Sequence, residues 1–354
     1  MTSRRTFLAA LIATGATPGL SWASVGNPSF IAAAKQGDGY SLHGLTTEGQ
    51  ITFSVPLPAR GHAGAGHPTL PIAIAFARRP GRYALVIDCT TGQVIRELTP
   101  PDGTAFNGHG FYLDGGRMLI TVEQNDADSA GKLGLWDVEA GYKRIGEVST
   151  HGIGPHEARL MPDGETIVVA NGGIATDASD RTKLNIPDMR PNLAYLTLDG
   201  LAELVELEED LHFNSIRHLA VNRDGLVAFA MQWEDDPSYA PPLLGLHRRG
   251  TDPILAEAPL EDEILMQGYA GSIAFAGDET EVAITSPYGG RMHRFSPDGA
   301  FLGSVTRADI CGLATCGTGF LASDGFGKVV AITGGRERHL ADHSVSWDNH
   351  IVAL

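Results

Sequence analysis

The sequence predicts a seven-bladed β-propeller, a ring of four-stranded antiparallel sheets, because one structural unit recurs along it. An alternating apolar run, a glycine-containing turn and a second apolar run appear seven times, and a second type of hairpin alternates with this unit six times. The turn glycines of the first unit are Gly49, Gly92, Gly141, Gly200, Gly250, Gly299 and Gly335. Their spacings, 36 to 59 residues, bracket the length of a propeller blade.

The chain ends provide the third observation. The seventh inner hairpin is split between NHIVAL at the C-terminus, as the inner strand, and SFIAAAKQG near the N-terminus, as its neighbour. Pairing of the C-terminal strand with the N-terminal blade would close the ring and remove its open edges. A pair of β-sandwiches is the rival fold, but it gives no reason for seven copies of one unit.

Residues 1–23 are predicted to be a twin-arginine signal peptide, and residues 24–354 the propeller. Arg4 and Arg5 precede a short apolar stretch, and small residues, Ser21 and Ala23, stand at the cleavage-determining positions. The apolar stretch is shorter than the about 20 residues of a membrane anchor. We therefore expect export to the periplasm and no membrane insertion of the mature chain.

Composition narrows the classes of partner. The formal net charge is −16 at pH 7, which argues against binding to nucleic acid or to anionic membranes. The three cysteines, Cys89, Cys311 and Cys316, are too few and too scattered for a disulfide framework, so we expect free thiols.

Histidines recur where inner strands are predicted to begin, and these positions converge on the central channel of a propeller. Five of the seven positions hold histidine: His62, His109, His156, His218 and His350. The other two blades have Ser272 and either Cys311 or Gly312, and Glu157 is an alternative inward-facing residue beside His156. Such a channel mouth could hold a transition metal, a haem edge or an anionic ligand. The competing interpretation is architectural, with each imidazole bonded to the backbone of a neighbouring strand.

Connections between the second and third strands of a blade should emerge on the same face. Three of them are predicted to be long: residues 122–132, 171–192 and 232–242. Their candidate supporting residues are Glu123, Asn171, Asn185, Met189, Gln232 and Trp233. Solvated decoration is the alternative for the loops, and packing is the alternative for Trp233 and Met189. Asp348, two residues before His350, could orient that imidazole or cap a strand end.

Nucleotide-binding loops, a Gly-x-Ser-x-Gly elbow and a CxxCH haem motif do not occur in the sequence. Four segments, in order, resemble the family called domain of unknown function 1513. They are GPHEARLMPDGETIVVANGGI, KLNIPDMRPNLAYL, SIRHLAVNRDG and SWDNHIVAL. The resemblance implies a periplasmic propeller without established activity. Family members are commonly encoded beside imelysin-type iron-uptake proteins, which implies a role in iron acquisition. It implies no catalytic residues.

The leading hypothesis is a non-catalytic binding propeller, an accessory factor in iron acquisition. It would bind a metal, a metal chelate or a partner protein at the histidine-rich face. A transition metal is the candidate cofactor, and a periplasmic iron-uptake protein is the candidate partner. A metal-dependent hydrolase or lyase of the lactonase type is the second hypothesis. A plain protein-interaction scaffold is the third.

Overall fold

The computed structural model describes residues 20–79 and 81–354. These residues form seven antiparallel sheets of four strands each, which confirms the predicted seven-bladed propeller.

Each blade runs from an innermost strand at the channel to an outermost strand at the rim. Blade 1 contains, in that order, β28 (Ser346–Ala353), β1 (Phe30–Gln36), β2 (Gly39–Leu45) and β3 (Ile51–Leu57). Blade 2 contains β4 (Gly61–Gly66), β5 (Ile72–Ala77), β6 (Ala84–Asp88) and β7 (Gln93–Leu98). Blade 3 contains β8 (Thr104–Leu113), β9 (Met118–Asn125), β10 (Ala130–Asp137) and β11 (Lys143–Ile153). Blade 4 contains β12 (Pro155–Leu160), β13 (Ile167–Asn171), β14 (Asn192–Thr197) and β15 (Gly200–Glu206).

The remaining three blades complete the ring. Blade 5 contains β16 (Asn214–Val221), β17 (Val227–Trp233), β18 (Leu244–His247) and β19 (Ile254–Ala256). Blade 6 contains β20 (Ser272–Phe275), β21 (Val282–Ser286), β22 (Arg291–Phe295) and β23 (Phe301–Thr306). Blade 7 contains β24 (Ile310–Cys316), β25 (Gly319–Asp324), β26 (Lys328–Thr333) and β27 (Arg336–Asp342).

Helices are scarce in the described part of the chain. The one α-helix is α1 (Leu260–Leu265), in the connection between blades 5 and 6. The 3₁₀ helices are Trp22–Val25, Asp114–Gly116, Ile186–Asp188, Glu209–Leu211 and Pro237–Tyr239. Among the described helices, none has the length and apolarity needed to span a membrane.

The two ends of the chain close the ring as predicted. Phe30 pairs with Ala353, Ile31 with Val352 and Ala32 with Ile351. Blade 1 therefore takes its innermost strand from the C-terminus. The pairing supplies β1 with hydrogen-bond partners on its channel side, so no sheet edge is exposed at the junction.

The seven turn glycines occupy the conformation that their position requires. All have positive φ, from 71° at Gly92 to 146° at Gly200, in the turns between third and fourth strands. An L-residue with a side chain rarely adopts this conformation, whereas glycine does so without steric cost.

The core is divided among the blades. Seven apolar clusters lie in the described residues, one between each pair of adjacent blades. Alternate residues of each strand face opposite neighbouring blades, which explains why the middle strands are apolar on both faces.

The predicted signal peptide lies mostly outside the described residues, which begin at residue 20. Trp22, just before the predicted cleavage point, packs on the propeller in the full-length chain. Its indole N–H donates a hydrogen bond to the carbonyl oxygen of His67 at 2.9 Å, and its ring stacks near Phe53. The three cysteine thiols are free, as expected.

Ring closure predicts an unequal cost for the same substitution at two places. Ile351 in β28 is 6% exposed, whereas Ile254 in the outermost strand β19 is 50% exposed. Ile351→Ala should lower the free energy of unfolding by about 2–4 kcal/mol, because it removes buried methyl groups where the ring closes. Ile254→Ala should cost less than about 1 kcal/mol. Urea unfolding of both variants measures the difference, and equal costs would contradict the closure argument.

Glu263 on α1 predicts a pH-dependent contribution to stability. Its Oε1 accepts a hydrogen bond from the Ala258 N–H at 2.9 Å, its Oε2 has no hydrogen-bond partner, and burial raises its pKa to about 7. The folded state therefore holds the proton more tightly than the unfolded state. The resulting stabilisation is fully present below about pH 4.5 and is lost as the pH rises through about 7.

Glu263→Gln keeps the uncharged form at every pH. We expect the variant to be more stable than the wild type at pH 8 by at most about 3 kcal/mol, and nearly equal to it at pH 4.5. The exposed Glu261→Gln on the same helix is the control. Thermal unfolding across this pH range tests the prediction, which fails if wild type and Glu263→Gln differ by the same amount at both ends.

Candidate metal centre

β-Bulges in the innermost strands set the direction of the side chains that face the channel. In six blades the pairing between the innermost strand and its neighbour shifts register, and in five of these the shift includes or adjoins a channel histidine. The bulged segments are 62–63, 107–109, 156, 217, 311–312 and 348–350. Extra residues in a bulge bend the strand and re-aim its side chains. Blade 6, which has Ser272 in place of a histidine, pairs regularly.

The bulges bring five imidazoles to one place, which we call the histidine hub: His62, His109, His156, His218 and His350. The centroid of each ring lies within 5.9 Å of at least three others, and that of His109 lies within 5.7 Å of all four. The convergence expected from the sequence is therefore present. The positions in the strands differ in part from those predicted, because His109, His218 and His350 lie within their strands and not at the start.

Close packing at the hub depends on glycine. Gly108 has φ of +90°, and a Cβ atom there would lie 2.6 Å from Cδ2 of His62. The residue before His109 therefore has to lack a side chain for the His62 ring to occupy its position.

Two sets of three histidines bring their ring nitrogens close enough together to be candidate metal ligands. In His62, His109 and His156, and again in His109, His218 and His350, one ligand atom from each residue lies within 4.8 Å of the others. His109 is common to both sets. A cavity of about 30 Å³ adjoins the second set, which is room for one ion or one or two water molecules.

Two buried carboxylates flank the hub. Glu157 has one oxygen 3.4 Å from Nδ1 of His218 and the other 3.9 Å from Nδ1 of His109. It also binds Arg159 at 2.6 Å and accepts the Leu219 N–H at 3.0 Å. Glu157 thus lies inward beside His156, and it contacts the imidazoles of the two neighbouring blades.

Asp348 contacts a different histidine from the one expected. Its Oδ1 lies 3.5 Å from Nδ1 of His62, and its Oδ2 accepts a hydrogen bond from Nε of Arg60 at 2.7 Å. The bulge at residues 348–350 turns Asp348 across the blade boundary, so the imidazole that it contacts is His62 and not His350, one of the two roles considered from the sequence. The carboxylate joins the closing strand to blade 2.

Burial determines the charge of the hub. It lowers the pKa of His62, and it lowers those of His109, His156 and His350 well below the usual value, with mutual repulsion among the rings adding to the effect. These four imidazoles are therefore neutral at pH 7, the form that donates a nitrogen lone pair to a metal. The carboxylates respond in the opposite sense. Burial would raise their pKa values, but Arg159 and the adjacent histidines outweigh it for Glu157, and His62, Arg60 and Arg78 hold the pKa of Asp348 at about 2.

One nitrogen on each hub ring lacks a hydrogen-bond partner. These buried atoms are Nδ1 of His62, Nε2 of His109, Nδ1 of His156, Nδ1 of His218 and Nε2 of His350. Two of them face a carboxylate beyond ideal hydrogen-bond distance, Nδ1 of His62 at 3.5 Å from Asp348 and Nδ1 of His218 at 3.4 Å from Glu157, whereas the other three have no such neighbour. Leaving a buried polar atom unsatisfied costs about 1–3 kcal/mol. None of these five nitrogens is bonded to the backbone of a neighbouring strand, as the architectural interpretation would require.

Directly against the hub lies a second feature, which we call the cationic pocket. It measures about 410 Å³ and has His62, His156 and His218 in its wall. Its basic residues are Arg78, Arg79, Arg181, Lys183 and Arg217, and Glu234 is the one carboxylate in its lining. Tyr269 and Tyr288, with ring centroids 4.5 Å apart, form an aromatic side.

The predicted supporting residues divide between this pocket and other places. Gln232 and Trp233 line it. Met189 is fully buried, and Asn185 ties its own loop together by accepting the Ala175 N–H and donating to the Gly173 carbonyl. Asn171 ends β13, where its amide binds Thr150 and Asn192.

The prediction of a long loop at residues 122–132 is wrong. β9 extends to Asn125 and β10 begins at Ala130, so the connection is four residues long. Glu123 lies inside β9, where it pairs with Arg144 at 2.8 Å and accepts a hydrogen bond from Thr121. The Glu123 side chain forms an ion pair with Arg144 within blade 3 and does not line the cationic pocket.

Sequence reasoning missed most of the basic residues. Arg78 and Arg79 directly follow β5, at the start of a connection between second and third strands, and Arg217 and Asn349 directly precede hub histidines. Arg78 and Arg79 could have been found from the sequence, because they lie in the same kind of connection as the selected loops. Arg217 and Asn349 could not, because only the bulges turn the residue before a histidine toward the same face.

The chain belongs to the family described as "Protein of unknown function (DUF1513)", whose model matches residues 55–354. No curated protein matches the sequence. Among solved structures, the chain is similar to Kuenenia stuttgartiensis hydrazine synthase, with 13% identity and a TM-score of 0.59. The similarity covers 86% of this chain and 89% of the other, and at this identity it shows the fold alone.

Proposed function

We propose that this member of the DUF1513 family is a metal-binding propeller whose histidine hub holds one transition-metal ion without catalysing a reaction. The single observation that carries the proposal is the convergence of five buried imidazoles, three of which, His109, His156 and His350, have a buried ring nitrogen with neither a hydrogen-bond partner nor a carboxylate beside it. A metal bonded to such nitrogens would satisfy atoms that the protein leaves unpaired.

The donor set limits the type of metal. Imidazole nitrogens suit Zn, Cu, Fe and Ni, whereas Mg²⁺ and Ca²⁺ require oxygen ligands. The two sets of three share His109 and lie side by side, so one ion rather than two is expected. Metal–nitrogen bonds of about 2.0–2.1 Å allow at most about 4.2 Å between two ligand atoms. The rings at the upper limit of 4.8 Å would therefore move together slightly on binding.

The carboxylates favour binding over hydrolysis. A hydrolytic site needs a general base with a pKa near the working pH. Glu157 is held by Arg159, and Asp348 by Arg60, and both have lowered pKa values. Each is a weak base at pH 7. Their placement suits a second role, to accept hydrogen bonds from ligating imidazoles and fix their orientation.

Periplasmic location and a role in iron acquisition are part of the same proposal. They rest on the Arg4-Arg5 leader and on the family resemblance. A hub that holds one ion would suit an accessory factor that passes metal to, or receives it from, an iron-uptake protein.

Metal titration of chelator-treated protein tests the hub. We expect one equivalent of Zn²⁺ or Co²⁺, and of Fe²⁺ under anaerobic conditions, to bind tightly by calorimetry and elemental analysis. His109→Ala should weaken binding on the order of 100-fold, about 2.7 kcal/mol, because both sets of three use this ring. His339→Ala, at an exposed histidine on β27, is the matched control. His156→Ala and His350→Ala, measured in parallel, identify which set binds.

A folded His109→Leu variant, checked by circular dichroism, separates loss of a ligand from loss of packing. Equal and sub-stoichiometric metal in wild type and His109→Leu would rule out the hub. Equal and stoichiometric metal would place the site elsewhere.

Export is tested separately from metal binding. Replacing Arg4 and Arg5 together by lysine should retain the protein in the cytoplasm, since twin-arginine export depends on the arginine pair. Fractionation of cells expressing either form measures the distribution, and mass spectrometry of the exported form locates the cleavage point relative to Trp22. Periplasmic recovery of the double-lysine form would contradict the predicted route.

A further inference from the structure

The cationic pocket has a surplus of positive charge that the protein itself does not neutralise. It contains five basic side chains and one carboxylate, in a chain whose formal net charge is −16. Glu234 is shared between Lys183 and Arg217, the latter at 3.3 Å. Arg78 reaches Asp348 at 3.7 Å. Within the described residues, Arg79 and Arg181 have no ion-pair partner.

Several polar groups of the pocket also lack partners. Arg217 is 8% exposed, and its Nε makes no hydrogen bond. Arg79 donates to the amide oxygen of Gln124 at 3.0 Å, which satisfies a donor without neutralising the charge. Burial, with the neighbouring Arg217, Arg181 and Arg78, lowers the pKa of Arg79 to about 9. A guanidinium with a pKa lowered this far still keeps its proton at pH 7, so the pocket stays positively charged.

The side chains are of the types that recognise oxyanions on an organic molecule. Guanidinium groups present planar donor pairs that match carboxylate and phosphate oxygens. Tyr269 and Tyr288 supply an aromatic side, while Gln267 and Asn349 supply amides. A volume of about 410 Å³ admits a small molecule. A single monovalent anion would neutralise too little of the charge, whereas a di- or trianion would neutralise most of it.

We propose that the cationic pocket binds a small organic anion with two or more carboxylate or phosphate groups, placed directly over the histidine hub. Anion binding itself does not depend on the proposed function. One consequence does rest on it: with a metal in the hub, an oxygen of this anion would occupy the coordination position left open by three histidines, since His62 and His156 face both features.

Calorimetry on metal-free, chelator-treated full-length protein tests the pocket. The probes are succinate, citrate, inorganic phosphate and pyrophosphate, with acetate as the monovalent reference. We expect at least one polyvalent probe to bind on the order of 100-fold more tightly than acetate, with affinity falling as salt rises. The preferred probe distinguishes a carboxylate ligand from a phosphate ligand. Equal, weak binding of all five probes would overturn the proposal.

Substitutions identify the pocket as the site. Arg181→Gln, at the rim of the pocket, should lower the affinity for the most tightly bound probe at least tenfold. Arg223→Gln, at an exposed arginine paired with Glu279 on another part of the surface, should leave it unchanged. Arg79→Gln should weaken binding and also raise the melting temperature of the ligand-free protein, because it removes an uncompensated charge. A purely structural Arg79 would lower the melting temperature. Unchanged probe binding in Arg181→Gln and Arg79→Gln would overturn the proposal.

Crossed measurements separate the two sites. Metal-free His109→Leu should bind the anion as wild type does, since His109 does not line the pocket, and Arg181→Gln should keep stoichiometric metal in anion-free buffer. If the protein binds the anion but no metal, the proposed anion site is supported and the proposed metal site is contradicted. If it binds metal but no anion, the metal site is supported and the anion site is contradicted. With Co²⁺ bound, the visible spectrum of wild type should change on addition of the probe that binds most tightly by calorimetry, and an unchanged spectrum would overturn placement over the hub.

Discussion

The hub depends on one constraint, the pairing of the C-terminal strand with the first blade. β28 is the innermost strand of blade 1, and it brings Asp348 and His350 to the channel. The contact between Arg60 and Asp348, 2.7 Å long, joins residues separated by 288 positions in the sequence. Without closure the hub would lose one imidazole, and His62 would lose its carboxylate. Folding of the ring and assembly of the site are therefore the same event.

Burial has opposite consequences for the charge of the histidine hub and of the adjacent cationic pocket. It opposes charge in both the hub and the cationic pocket. Burial lowers the pKa values of His62, His109, His156 and His350, so these four rings are neutral nitrogen donors at pH 7. Arginine retains its proton, so the pocket becomes a site of positive potential. A set of neutral ring nitrogens and a pocket of positive potential thus lie side by side in one low-dielectric environment, because the two kinds of side chain titrate in different pH ranges.

The sequence was sufficient for the fold because each blade repeats one pattern of apolar runs and turn glycines, and the terminal segments complete an unfinished unit. It also indicated the hub, since histidine recurs at equivalent positions of five blades. It did not reveal the bulges, which depend on how each inner strand fits its neighbour. Consequently the contact between Asp348 and His62 was not foreseen, and Arg217 was overlooked beside His218. Net charge was similarly uninformative about the pocket, because an average of −16 conceals five basic residues drawn from distant segments.

Comparison among the blades bears on whether the histidines are architectural. Blades 6 and 7 have Ser272 and Cys311 at the equivalent positions, and their sheets are complete. Past the hub, the channel wall includes Leu219, Ile273 and Leu313, so apolar side chains also fill it. The seven core clusters lie between blades, and none of them includes a hub histidine. The propeller therefore does not require imidazoles at its centre, and the buried nitrogens of His109, His156 and His350, which have no partner, weaken it there. Such a cost at a position that serine or leucine could fill is expected where the group is kept for a ligand.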